Sequence, residues 1–287
     1  MNLEIIIQAI INGLAIGFVY ALVSLGLTLI WGTMEIINFA HGDFLMLGMY
    51  GSFWFFTLLG IDPLVSLPVV FLASFIFGIL VYKGVIKTIL NRQMLSQVLA
   101  TYGLGMVLQA LAIFFWSPNY RLIRGNFLNG TFRLGSISIG IPQFVSSIIC
   151  IVAIFALFYF LDRTKIGRAI KATTLNRDAA ALVGINIEYI FTLVLGLGIA
   201  LVGMAGSLLS NFYYIYPQVG ALFGTLAYVV VAIGGFGSVQ GALMGGLLLG
   251  IITSLTGILI DPAFKYAAAF LVYLIVVLIK PTGLKGW

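Results

Sequence analysis

The segment RTKIGRAIKATTLNRDAAALVG, Arg163–Gly184, interrupts a chain that is otherwise almost continuously apolar. Five of the protein's 14 Lys and Arg residues fall within it: Arg163, Lys165, Arg168, Lys171 and Arg177. An apolar run flanks it on either side, each near the roughly 20 residues that cross a bilayer as a helix. Lys and Arg in short connections stay on the cytosolic face of a membrane. The segment therefore predicts a membrane protein that presents a basic insert to the cytosol.

Composition leads to the same class. Of 287 residues, 62% are hydrophobic and only 8% are charged, whereas a soluble domain carries about 25% charged residues. That is too little polar surface for a water-soluble fold, so the chain reads as an all-α, polytopic transmembrane bundle. The net charge of +6 does not require a nucleic-acid partner, because the cations sit between apolar runs. The 34 glycines suit helices that pack closely in lipid. Cys150 is the lone cysteine and lies in an apolar run, so it is expected to be inert. The first apolar run has no Lys or Arg before it and continues into a second; it is expected to be a retained span, not a cleaved signal.

Candidate spans are residues 5–30, 33–58, 63–82, 97–116, 142–161, 187–210, 219–236, 239–258 and 266–280. Two differ from a plain span. Segment 33–58 carries Glu35, His41 and Asp43, and segment 219–236 is short and glycine-rich, so either is expected to be broken or re-entrant. Lys83, Lys87 and Arg92, then Arg163–Arg177, then Lys280 and Lys285 all fall on one side if the N-terminus is outside and the C-terminus inside. Arg121, Arg124 and Arg133 oppose that rule. Residues 1–287 are expected to form one transmembrane domain, with an outer loop at 117–141 and a cytosolic segment at 162–186. In the outer loop, Asn129-Gly130 is a type I′ turn signal. Ile137, Ile139 and Ile141 alternate with Ser136, Ser138 and Gly140, which predicts a small β-hairpin.

No catalytic signature stands out. The chain lacks G-x-x-x-x-G-K-[ST], a nucleophile-elbow G-x-S-x-G and any Cys/His cluster with metal spacing. No cofactor, metal or enzymatic activity is expected.

Three groups of residues are candidates for function. The first is the basic segment. Lys165, Arg168 and Lys171 drift around one side of a helix, and Asn176 can cap a second short helix with Asp178 in its first turn. Gly184 can end that helix. Two readings stay open: a positive anchor on anionic lipid headgroups, or a docking element whose small residues, Ala179 and Ala180 among them, let another protein close around it. The second group is Glu35, Asn38, His41 and Asp43. On an unbroken helix the first three share about 120° of arc. They either sit at the inner membrane boundary, where water solvates them, or mark a helix break at Asn38–Asp43 that lines a pathway for a zwitterionic solute. The third group is glycine. Gly13/Gly17, Gly220/Gly224, Gly241/Gly245 and Gly246/Gly250 are G-x-x-x-G pairs that serve internal packing or a subunit interface. Gly234-Gly235-Phe236-Gly237-Ser238 reads as a turn, with Gly234 and Gly235 placed near the pathway.

Asp178-Ala179-Ala180-x-x-x-Gly184 resembles the E-A-A-x-x-x-G loop of ABC-transporter permeases, with Asp in place of Glu. The Ile-x-Leu-Pro that follows in many importers is replaced by Val194-Leu195-Gly196-Leu197. The resemblance extends further. Gly13–Gly17, Tyr20–Leu22 with Leu25–Thr28, Ile37–Asp43, Thr164–Ile170 and Val231–Ser238 look like the LivH-type branched-chain amino acid permeases across nearly the whole chain. That resemblance implies an importer subunit of the bacterial-type plasma (inner) membrane. Its implied partners are cytosolic ATPase subunits, a second permease subunit (LivM-type or a second copy) and an extracytoplasmic solute-binding protein. The ATPase-coupling residues would be Arg163, Lys165, Arg168, Asp178, Ala179, Ala180 and Gly184, with Ala180 and Gly184 expected to meet the ATPase directly. The 117–141 loop would dock the binding protein. Related permeases for urea or short amides share the pattern. The alternatives are a secondary transporter or channel for a small polar solute and, more remotely, a membrane enzyme.

Overall fold

The computed structural model describes residues 3–125, 127–134 and 137–285. Its elements are helices joined by short connections. They are α1 (Leu3–Met34), α2 (His41–Leu59), α3 (Pro63–Val81), α4 (Lys87–Ile89), α5 (Met94–Trp116), α6 (Ile141–Arg163), α7 (Lys165–Leu175), α8 (Arg177–Leu182), α9 (Ile187–Leu209), α10 (Val219–Gly234), α11 (Val239–Leu259) and α12 (Lys265–Ile279). A π turn, Tyr82–Ile86, joins α3 to α4. A single antiparallel pair, β1 (Thr131–Leu134) and β2 (Ile137–Gly140), precedes α6. Among the described residues, eight helical stretches are long and apolar enough to cross a membrane. The sixteen-residue α10 is a shorter, ninth apolar helix. Every expected span therefore has its helix.

Helices in lipid gain little from hydrophobic burial against one another, so close van der Waals contact must hold them. Glycine supplies that contact along α1 and α11. A Cβ at Gly13 would lie 2.7 Å from the Ile251 Cα, and one at Gly246 would lie 2.6 Å from the Ala21 nitrogen. Gly241 and Gly245 seat α11 on α10 in the same way, against Gly234 and Val230. The G-x-x-x-G pairs thus serve internal packing. At the centre, α1 and α9 are the most enclosed spans, while α12 lies almost wholly at the periphery.

Contacts sort the connections to the two ends of the bundle. At one end, Lys87 pairs with Glu188, Lys171 with Asp162, and Lys285 with Gln240. The three cation groups that the orientation rule places together do share this end. At the other end, Asp62 caps α3 through Leu64 and also accepts from the Phe127 nitrogen at 2.7 Å. Arg121 pairs its backbone with Ile215. The Arg121 guanidinium lies 5.3 Å from the rings of both Phe53 and Trp54 and donates to the Trp116 carbonyl. This aromatic seat gives Arg121 a structural reason to stand against the orientation rule. Asp62 and Asp261 each cap the turn that follows them.

The hairpin is present, but its turn is not at Asn129-Gly130. The ladder runs from Thr131↔Gly140 to Leu134↔Ile137, so Asn129-Gly130 stands before the paired strands rather than between them. Ser136, the first polar member of the alternation, lies outside the described residues. Gly130 has φ +101° and its carbonyl accepts from the Ile141 nitrogen at 3.1 Å, so it closes the open end of the ladder. The Gln8 side chain hydrogen-bonds both backbone groups of Ser138 and ties the hairpin to the first turns of α1.

Two elements begin inside the bundle. The His41 Nε2 atom lies 2.9 Å from the Val23 carbonyl, eleven residues before the end of α1. At 1.5 Å per residue, α2 starts about 16 Å up from that end. There the first turn of α10 crosses it. A Cβ at Gly42 would collide with the Gly220 carbonyl, and one at Gly220 would lie 2.5 Å from the Gly42 oxygen. Gly42→Ala is therefore expected to lower unfolding stability by about 1–3 kcal/mol. Gly103→Ala, where nothing lies within 4 Å, should be neutral or slightly stabilising. Thermal unfolding of both variants in the same detergent checks this; equal midpoints would rule out the close crossing.

Candidate functional site

The basic segment folds into two short helices. Thr164 caps α7 by accepting from the Gly167 nitrogen at 2.9 Å, and its hydroxyl donates to the Phe160 carbonyl. Gly167 lets the chain turn tightly there, since a Cβ would strike the backbone of Phe160 and Leu161. Asn176 caps α8 through the Ala179 nitrogen at 2.9 Å, and Asp178 lies in the first turn. The Ile185 nitrogen then reaches back to the Ala180 carbonyl and the Gly184 nitrogen to that of Ala181. This closure needs a left-handed residue, and Gly184 has φ +88°.

Arg163, Lys165, Arg168, Asp178 and Ala179 are exposed on this segment. Ala180 is not: it is 3% exposed and faces the bundle. The expectation that Ala180 meets a partner directly is therefore corrected. Its small side chain lets α8 lie close to the bundle. Leu182, 88% exposed, and Val183, 77% exposed, form the outward tip instead. Their apolar character gave no signal in a sequence full of leucine and valine.

Arg177 bolts this segment to the bundle. Its Nε donates to the Thr33 carbonyl at 3.2 Å, in the last turn of α1, and its guanidinium lies 5.3 Å from the Phe191 ring. The Thr33 and Thr174 hydroxyls are 3.3 Å apart. Glu35 is exposed beside Arg177 at 3.8 Å and ends α1 with φ +54°. An exposed pair at that distance adds little, so the carbonyl contact and the ring stacking do the anchoring. The sequence offered Arg177 only as one cation among five.

From Glu35 the chain leaves the helix and runs through residues 35–40 into the bundle interior. The shared arc expected of Glu35, Asn38 and His41 does not exist, because the helix is broken between them. Glu35 is at the surface, while Asn38, His41 and Asp43 are buried. Thr101 holds the break from the side: its hydroxyl lies 3.0 Å from the Ile37 carbonyl and 3.3 Å from the Phe39 nitrogen. Asp43 accepts from the Gln109 amide at 2.8 Å. Both atoms of the Asn38 amide and the His41 Nδ1 are buried without a hydrogen-bond partner. The Tyr228 hydroxyl sits beside the Asn38 backbone without hydrogen-bond geometry. Neither α2 nor α10 has a side-chain cap; carbonyls of the preceding turns take the His41, Asp43, Val219 and Ala221 nitrogens, and the two helix N-termini meet beside Gly42 and Asp43. Such ends favour anionic groups.

Gly234 and Gly235 are not part of this cluster. They close the opposite end of α10, fourteen residues or about 21 Å from Gly220. The C-terminal tail covers them, with the Leu284 nitrogen on the Ile233 carbonyl and the Lys285 nitrogen on that of Gly234. The expected turn is real: Gly235 and Gly237 have φ +103° and +77°, and Ser238 caps α11.

Comparisons with known proteins agree with one another. A family described as "Branched-chain amino acid transport system / permease component" matches residues 9–279. The high-affinity branched-chain amino acid transport system permease protein BraD of Pseudomonas aeruginosa is 31% identical over 98% of this chain and 95% of its own length. Permease protein LivH of the corresponding Escherichia coli system is 31% identical with the same coverage. A probable LivH of Methanocaldococcus jannaschii is 32% identical over 92% of this chain and 88% of its own. No solved structure matches the chain.

Loss of the α8 cap has a local consequence. Asn176→Ala should cost about 1 kcal/mol, read as roughly fivefold faster amide exchange across 177–184 with the spans unchanged. Arg177→Ala should speed exchange in 33–40 as well, and Arg177→Lys should not restore it, because an ammonium lacks the planar fork. Protection in 33–40 that ignores Arg177 would break the link between the two regions.

Proposed function

This chain belongs to the branched-chain amino acid transport permease family, and from that premise we propose that it forms the translocation pathway of an ATP-driven importer for branched-chain amino acids. It is a multi-pass protein of the plasma (inner) membrane. In this reading cytosolic ATPase subunits hydrolyse ATP, grip the exposed tip Leu182–Gly184 and meet the exposed cations of α7. A second permease subunit, LivM-type or another copy, completes the pathway. An extracytoplasmic binding protein delivers the solute at the 117–141 loop, which Asp62 and Ile215 hold in place.

One observation carries the mechanism. The same carbonyl of α1 that Arg177 grips lies five residues before Asn38. A displacement of α8 therefore reaches the chain break through one hydrogen bond and a short extended segment. A solute carboxylate suits the positive ends of the two helix dipoles that meet at Gly42 and Gly220, and its ammonium suits the Asn38 oxygen or Asp43. Asn38, whose side-chain amide is buried without a hydrogen-bond partner, is the group a passing solute would satisfy. Gly234 and Gly235 act in this reading as a turn braced by the tail, outside the pathway.

The test is uptake of labelled leucine by cells that carry the whole system. Leu182→Glu and Val183→Glu should abolish both uptake and co-purification of the ATPase while the chain remains in the membrane. Asn38→Ala should keep the ATPase bound and lower uptake at least tenfold. Full uptake by all three variants would overturn the assignment. Uptake that survives blocked ATP hydrolysis but follows an ion gradient would identify a secondary transporter.

A further inference from the structure

A cavity of about 460 Å³ opens where α1, α6 and α7 meet the α10–α11 turn and the C-terminal tail. It lies at the last turns of α1 and α6, where the apolar spans give way to the basic segment. Its walls carry apolar side chains from four elements, Leu29, Phe158, Ile170 and Val239. The rim carries Lys171 and Lys285 with one carboxylate, Asp162, so the charged groups sum to +1. Asp162 is already taken by Lys171. Lys285 has a neutral neighbour, the Gln240 Oε1 at 3.0 Å, and keeps its full charge for an anion.

The site thus combines a cationic seat with an apolar wall at one end of a membrane bundle. A soluble anion would use the seat and leave the wall in contact with water. An anion that carries a hydrocarbon chain uses both. We infer that this cavity binds an anionic phospholipid, its phosphate between Lys171 and Lys285 and an acyl chain along Phe158 and Leu29. Because α7 forms one side and α1 the other, the lipid braces the basic segment against the helix that Arg177 grips. This inference rests on the cavity alone and stands whichever solute the protein carries.

The intact chain, purified in detergent, is titrated separately with phosphatidylglycerol, phosphatidylcholine and inorganic phosphate while thermal unfolding is followed. Phosphatidylglycerol should raise the midpoint by about 2–4 °C more than phosphatidylcholine, and inorganic phosphate should leave it unchanged. Lys171→Gln/Lys285→Gln should remove the preference. Lys83→Gln/Arg92→Gln, with the same charge lost at the same end but away from the cavity, should retain it. Gln240→Glu keeps both lysines, neutralises the rim and should weaken the preference, which covers the case in which the double variant does not fold. An unchanged preference in Gln240→Glu or the double lysine variant, or a shift from inorganic phosphate equal to that from phosphatidylglycerol, overturns the inference.

Discussion

The crossing of Gly42 and Gly220 is the contact on which the interior depends. Two helices that start inside a bundle expose N–H groups that lipid cannot satisfy. They are tolerable only where protein surrounds them. Backbone contact at Gly42 and Gly220 brings α2 and α10 close enough to shield each other, and α1 and α9 enclose the pair. Any side chain at Gly42 would strike the Gly220 carbonyl. The polar cluster, the break after α1 and the short length of α10 follow from holding these two helix starts at one depth.

That arrangement divides the molecule into stiff and adjustable parts. The α1–α11 seam has backbone on backbone at Gly13, Gly17, Gly246 and Gly250, with no side chains whose rotamers could absorb movement. Residues 35–40 have no such contact. Thr101 secures them through the Ile37 carbonyl and the Phe39 nitrogen, and the buried side-chain amide of Asn38 has no hydrogen-bond partner. A buried amide without partners is costly, so Asn38 is the group of this segment with most to gain from a new polar contact.

Much of this was legible in the chain. Apolar runs located the nine apolar helices among the described residues, and the acids within 33–58 marked the segment that does break. Asn176 and Gly184 gave both ends of α8, because capping is local chemistry. What failed depended on distance. The Asn129-Gly130 signal was overridden because the Thr131↔Gly140 pairing, tied to α1 through Gln8, sets the register. The inward turn of Ala180 comes from packing that composition does not encode. Nothing in the sequence joins Arg177 to Thr33, 144 positions apart.

The basic segment also separates two tasks that its sequence merges. Its cations fix the end of the bundle at which it stands and are mostly spread over exposed surface. Its apolar tip, Leu182 and Val183, is largely exposed at the end of a helix only six residues long. A helix that short is not stable alone; the Asn176 cap, the Gly184 closure and the Arg177 anchor hold it in place. Three separate supports hold α8 between its exposed apolar tip and the Thr33 carbonyl. Rigidity of that kind has little value for a lipid anchor, which needs only charge, but it is what transmitting a displacement requires.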